Sequence, residues 1–242
     1  AVALTPQRSA YHQALGEAAG LKARSLSNPF RRLPAARRAK AEFERAVELD
    51  GDNLAARHNL LQYYAGAPGI LGGSRELAAE QAAEIALRDP SEGSEARAIL
   101  LERGDDREEA LAAYREAIRL DPENRGARIG LGRLLLELER FEEAWRTLED
   151  ALELAPARRR ARFWLGQTSL RSGSRTDAAI VHLEALIGTP RCLEDPTQPD
   201  ALVVLGRLLL RRGDREGARE RYRQALALDT DHDGAEAALD EL

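Results

Sequence analysis

Methionine is absent from this chain, cysteine occurs once, and aromatic residues make up only 5% of its 242 positions. Each shortage excludes something. The lone Cys192 rules out an internal disulfide and leaves both reducing and oxidising compartments open. With no methionine even at position 1, the chain reads as trimmed or processed. Its small first residue, Ala1, is compatible with a signal-peptidase cut. No apolar run is long enough to cross a bilayer, and no alternating Val/Ile/Thr segment reads as a strand. Lysine occurs only at Lys22 and Lys40, so arginine carries nearly all the positive charge, which we read as the codon bias of a GC-rich genome. The net charge of −5 argues against general nucleic-acid binding, which needs a basic field to displace counterions.

What is present is alanine and leucine, with 43% hydrophobic and 32% charged residues. This is a folded composition, and one that favours helices, because Ala and Leu lose little freedom in them. The order of these residues repeats. Leu131-Gly132 is followed by Ala144, Leu148, Ala151 and Pro156, and Leu165-Gly166 by Ala178, His182, Ala185 and Pro190 at the same spacings. Leu205-Gly206 leads likewise to Ala218, Tyr222, Ala225 and Thr230. Pro122, Pro156 and Pro190 stand 34 residues apart. Three earlier units fit with local changes, through Leu15-Gly16 with Ala39, Phe43 and Ala46, through Ala78, Ala82, Ile85 and Pro90, and through Ala110, Tyr114, Ala117 and Pro122. Steps of three and four place these residues on one helical face. The Gly and Ala positions let two antiparallel helices approach, and Leu, Tyr and Phe fill the space between them. Gly104-Asp105 and Gly213-Asp214 mark turns inside units, and Leu120-Asp121-Pro122 ends one unit, since proline cannot continue a helix.

These residues resemble the tetratricopeptide repeat, a family of 34-residue helix-turn-helix units, over roughly nine-tenths of the chain. The usual early Trp of that motif is replaced here by Arg128, Arg162 and Leu202. The resemblance implies an all-α, right-handed superhelical solenoid of about six units. They are expected at 9–53, 54–90, 91–124, 125–158, 159–198 and 199–232, after a lead-in at 1–8 and before a capping helix at 233–242. No unit of this kind buries its apolar face alone. Stacking buries it and curves the array around a concave groove lined by each unit's first helix.

Three insertions break the period. Leu26 to Pro34 lies between the helices of the first unit, Ala67 to Ser74 at the matching turn of the second, and Arg191 to Gln198 before the sixth. The first two are expected side by side on one edge, as a binding face or as a seal on that end. Pro68, Gly69, Gly72 and Gly73 are the candidate edge-loop residues. The phrase from Tyr63 to Gly73 is similar to a turn in a group of bacterial, often exported, tetratricopeptide-repeat proteins of no defined activity, which favours an exported or periplasmic location over the cytoplasm.

Catalytic signals are weak by comparison. Gly72-Gly73-Ser74 could hold an anion at a helix start, but a serine N-cap explains it more simply. Asp229 to Gly234 imitates a calcium loop whose closing Glu is replaced by Asp240, so an inter-repeat turn is the expected reading. Gly126, Gly130 and Gly132 follow no strand, so they read as close-packing positions, not a nucleotide loop. His12, His58, His182 and His232 lack metal-ligand spacing, and His182 takes a packing place usually held by an aromatic. No nucleophile, base and oxyanion site assembles, so neither an enzyme nor a cofactor is expected.

The groove is more informative. The repeat register places Gln13, Glu17, His58, Asn59 and Gln62 on its inner face, then Arg133, Arg160, Phe163, Gln167, Arg171, Arg207 and Arg211. The later half is basic although the chain is acidic. Arginine forks suit acidic peptide segments, while solvated arginines in an Arg-rich chain remain the plainer account. Ile129, Phe163 and Val203 occupy the first basic place of the chaperone-clamp subfamily, which argues against that subfamily. The expected function is a non-enzymatic module binding a protein or peptide partner in the groove. The alternative is a scaffold acting through edge loops or self-association.

Overall fold

A computed structural model describes residues 8–25, 29–154, 159–188 and 197–242. Among these, every regular element is helical. The chain divides into two compact units, Ala1–Ala127 and Arg128–Leu242. The first holds α1 (Ser9–Ser25), α2 (Pro29–Leu49), α3 (Leu54–Gly66), a short 3-10 turn (Gly69–Leu71), α4 (Arg75–Arg88), α5 (Pro90–Arg103) and α6 (Arg107–Leu120). The second holds most of α7 (Arg125–Glu137), then α8 (Phe141–Leu154), α9 (Arg159–Ser172), α10 (Thr176–Ile187), α11 (Gln198–Arg211), α12 (Arg215–Leu228) and α13 (Asp233–Asp240). The first insertion is a helix where it is described. Pro29 to Pro34 lengthens α2 at its start, with Pro34 inside the helix.

Helix ends follow from short polar side chains that satisfy otherwise orphaned amides. Asn53, Ser74, Asp89, Asp214 and His232 each cap the helix that follows them. Ser74 therefore takes the capping role, accepting from the Leu77 amide at 3.2 Å. Asp229 to Gly234 is the turn between α12 and α13, with His232 accepting from the Ala235 amide at 3.2 Å. Among the described residues no group of His, Cys, Asp or Glu has the geometry to hold a metal ion.

Two of the caps belong to a repeated relay. Ser9 donates to the Ala46 carbonyl at 2.7 Å and accepts from Asn53 Nδ2 at 2.7 Å, while Asn53 Oδ1 accepts from the Ala56 amide. Ser91 donates to the Ala117 carbonyl at 2.9 Å and accepts from Asn124 Nδ2 at 3.0 Å, while Asn124 Oδ1 accepts from the Ala127 amide. One hydroxyl thus ties the start of a repeat, the end of its second helix and the cap of the next repeat.

Large-on-small packing joins the paired helices. An added Cβ on Gly16 would lie 2.5 Å from the Phe43 ring, one on Gly132 2.6 Å from Leu148, and one on Gly206 would overlap the Tyr222 ring. In the second repeat the sizes are exchanged. Leu61 sits at the glycine place and Ala82 at the large place, and both are buried in one cluster with Ile85 and Ala96. The volume is conserved although the residues are swapped, which is what close packing requires.

The fifth repeat departs from its sequence register. Gly132 to Leu148 and Gly206 to Tyr222 span sixteen residues, but a Cβ on Gly166 would meet Leu183, seventeen residues on and 2.9 Å away. α9 runs one residue further past its glycine than α7 or α11 do. The added residue rotates α10, so Ala179, Leu183 and Leu186 are buried while Ala178 and Ala185 are exposed. His182 does not fill the core as its spacing predicted. Leu183 takes that place, because the turn, not the interval, sets which face packs.

Candidate functional site

The first helices carry the candidate residues, and they lie against one another within each unit. In unit 1, α3 touches both α1 and α5. Asn59 Nδ2 donates to Glu17 Oε1 on α1 at 3.1 Å, and Gln13 Nε2 donates to the same atom at 2.9 Å. His58 Nε2 stands 3.3 Å from Glu92 Oε2 on α5. His58 and Asn59 therefore bridge helices, while Gln62 is exposed. The acidic partners Glu17 and Glu92, with Glu95 one turn on, make this face acidic.

In unit 2, Ile129 (α7), Phe163 (α9) and Val203 (α11) occupy equivalent places in one apolar cluster. Ile129 and Val203 are buried, whereas Phe163 is only partly so and lies edge-on to Trp164 with ring centroids 5.4 Å apart. One turn further along each helix come Arg133, Gln167 and Arg207. Arg133 pairs with Glu137 on its own helix. Arg160 and Arg207 are exposed, and neither makes a hydrogen bond or ion pair among the described residues.

The last-turn arginines behave differently. Arg211 donates to the Ser169 carbonyl at 2.9 Å and to the Leu170 carbonyl at 2.7 Å, at the end of α9. Arg171 reaches Glu139, just past α7, at 3.4 Å and lies 6.0 Å from the Phe141 ring. In unit 1, a Cβ on Gly66, the last residue of α3, would come within 3.5 Å of the Arg103 guanidinium. Of these, Arg211 bonds carbonyls at a helix end, where the helix dipole favours a cation, Arg171 meets the Glu139 carboxylate, and Arg103 lies beside the last residue of α3. Spacing alone could not separate these fastening arginines from Arg160 and Arg207, since all read as exposed cations.

A depression lies on the α8–α9–α10 pack. It is an open cleft of about 480 Å³ bordered by Arg146, Glu149, Asp150, Glu153, Arg162 and His182. Arg162 Nη1 lies 3.3 Å from His182 Nδ1. Burial pushes the His182 pKa down, and the Arg162 charge adds to this, opposed by Glu149. The ring is thus held neutral beside a cation.

The edge loop is built, not slack. Ser74 N donates to the Tyr64 carbonyl at 3.0 Å, Gly73 N to the Pro68 carbonyl at 3.2 Å, and Tyr63 OH to the Leu71 carbonyl at 2.9 Å. Gly72 has φ +84°, and a Cβ on Gly73 would collide with the Ala67 carbonyl, so both glycines are required. The 3-10 turn rests on α2, where Lys40 Nζ lies 5.7 Å from the Tyr64 ring centroid. At the tip, Pro68 and Gly69 are exposed and Ile70 is 82% exposed. The loop thus lies beside α2, and residues 26–28 of the first insertion lie outside the described part. The third insertion, with Cys192, lies almost wholly outside it.

Tetratricopeptide-repeat family models match residues 100–170 and 201–236. The chain carries tetratricopeptide repeats over these residues. Solved structures of similar fold include YrrB, described as a tetratricopeptide-repeat protein with an unusual peptide-binding site, at 23% identity and a TM-score of 0.56 over 83% of this chain and 98% of that one. PilW, described as a widely conserved type IV pilus biogenesis factor, aligns at 19% identity and a TM-score of 0.63, covering 96% and 98%. PilF of Pseudomonas aeruginosa aligns at 17% identity and 0.58, covering 95% and 99%. No curated protein sequence matches the chain. The fold of this repeat protein is that of a protein–protein interaction module, and among its described residues no helix is long and apolar enough to cross a membrane.

Proposed function

We propose that this repeat protein is a non-enzymatic module that binds an acidic segment of a partner protein on the first-helix face of unit 2. The observation that carries the reading is the pair of exposed arginines, Arg160 and Arg207, which make no hydrogen bond or ion pair among the described residues and stand near the half-buried Phe163 and Gln167. Arginine forks match carboxylates, and a partly buried ring supplies an apolar anchor. Arg133 lies on the same face, paired with Glu137 on its own helix. Arg171 and Arg211 hold the face together and serve recognition indirectly. His58, Asn59 and Gln62 form the corresponding face of unit 1. The peptide-binding site for which YrrB is named supports the class of ligand.

The test is affinity capture from the source cell with the wild type beside an Arg160→Glu/Arg207→Glu variant, with circular dichroism on both. A partner lost from the variant at unchanged helicity supports the reading. Equal retention of every captured protein sinks it. A second reading, a scaffold acting through the edge loop, is favoured by Ile70, which a hydrogen-bonded loop holds out in solvent. Ile70→Asp would then abolish assembly while leaving capture on the arginine face intact. The expected exported, bacterial origin rests on the Tyr63–Gly73 phrase, and detection in a periplasmic fraction would test it.

A further inference from the structure

The arginine face requires an acidic segment, and the chain carries one of its own. From Asp229 to Leu242 there are six carboxylates and no lysine or arginine. Asp229, Asp231, Asp233, Glu236, Asp240 and Glu241 are all exposed, and none makes an ion pair among the described residues. Between α7 and α8, by contrast, Glu139 pairs with Arg171, Glu142 with Arg175 and Glu143 with Arg140. α13 holds its charges on an ordered helix. His232 caps it, Ala235 and Ala238 are buried, and Leu239 and Leu242 pack against the core of unit 2. Binding to a helix already fixed in this way costs little ordering entropy.

The basic and acidic patches adjoin. α13 touches α11, the helix that carries Arg207, and His232 lies 3.3 Å from Asp200 in the first turn of α11. Burial pushes the Tyr222 phenol pKa up, and Arg207 and Glu241 act on it in opposite senses, so both charges stand near one ring. They form no ion pair within the chain, and the packing of α13 holds it in place. Adjacent patches of opposite sign are self-complementary under a two-fold rotation. The basic patch of each copy meets the acidic patch of the other, and every contact is made twice. Leu210, one turn past Arg207, is 40% exposed and adds an apolar element on the same helix.

We propose that the acidic segment taken by the arginine face is α13 of a second copy of this chain, in a two-fold dimer. Arg160 and Arg207 of each copy face the carboxylates of α13, Asp240 and Glu241 among them, on the other. The inference rests on the arginine-face reading and names the partner of that face.

The experiment is sedimentation equilibrium of the full chain over about 1–300 µM, the range in which a weak dimer dissociates. The wild type should reach a dimer and nothing larger in about 0.05 M salt, and fall back towards monomer in about 0.5 M. Arg160→Glu/Arg207→Glu and Asp240→Lys/Glu241→Lys should each weaken the dimer at least about tenfold, since the two-fold axis repeats every lost contact. Mixed in equal amounts, the two variants should dimerise again, because each reversed patch then meets its opposite. That recovery also shows both to be folded. The same charge change at the exposed Arg32 and Arg37 of α2 should leave the dimer intact, as should Ile70→Asp. A dimer that survives either reversal, is lost in Ile70→Asp or in the α2 variant, or grows past two chains overturns the proposal, as does a mixture that fails to recover. If the wild type stays monomeric throughout while Arg160→Glu/Arg207→Glu still loses its captured partner, the arginine face stands and a second copy is not its occupant.

Discussion

Gly213 shows what one torsion is worth in this chain. It turns the backbone between α11 and α12 with φ +90°, and no atom lies within 4 Å of where a Cβ would be. The equivalent turn between α7 and α8 uses Glu139 at φ +60°. Gly213→Ala should therefore cost about 1 kcal/mol through conformation alone, seen as a lower urea midpoint with an unchanged slope. Glu139→Gly removes a similar cost but also the contact to Arg171, so its net effect should be close to zero. His182 carries the pH dependence at this scale. Its folded pKa lies below the unfolded 6.5. The unfolded chain thus binds more protons in the window just below 6.5, and stability is lost as the pH falls through it. The stability difference between wild type and His182→Gln, followed by urea melts from pH 7.5 to 5, should shift against the wild type on acidification. A flat difference would mean the ring is not held neutral.

Between elements, the serine–asparagine relay and the reaching arginines do what repeat consensus residues do not. Ser91 and Asn124 are both buried, so Ser91→Ala strands the Asn124 side-chain amide and leaves the Ala117 carbonyl with only its bond from the Asp121 amide. The expected loss is about 1–3 kcal/mol, measured by denaturant titration. Arg211→Gln should lower stability by about 1 kcal/mol through the end of α9, yet leave acidic-peptide binding within about twofold. A collapse of binding with stability intact would return Arg211 to the recognition surface. The helix pairs were legible in advance, whereas the relay and the reaching arginines were not. The Leu61/Ala82 exchange could be read from the two residues once their repeat places were known. The rotation of α10 could not. Ser172-Gly173-Ser174-Arg175 can end a helix one residue earlier or later, and only packing against Gly166 decided for Leu183.

Over the whole molecule, a net charge of −5 coexists with a basic first-helix face in unit 2 and an acidic one in unit 1. Long-range repulsion should slow the approach of an acidic ligand to the chain, while local arginines hold it. Binding on the Arg207 face should weaken several-fold when salt rises from about 0.05 to 0.5 M, as the screening length falls below about 5 Å. Salt-independent affinity would point to the Phe163 ring or the Ile70 loop as the dominant contact.

The sequence by itself determined the architecture, because a 34-residue period of large and small residues admits stacked helix pairs and little else. It also determined which helices carry the candidate residues. Only the tertiary structure sorted those residues. Arg211 fastens the end of α9 and Arg171 pairs with Glu139, while Arg160 and Arg207 stand in solvent and His182 leaves the core for a cleft. The physical reason is that periodicity specifies a helical face, whereas the length of a turn and the reach of a long side chain across to the next helix are settled by packing in three dimensions.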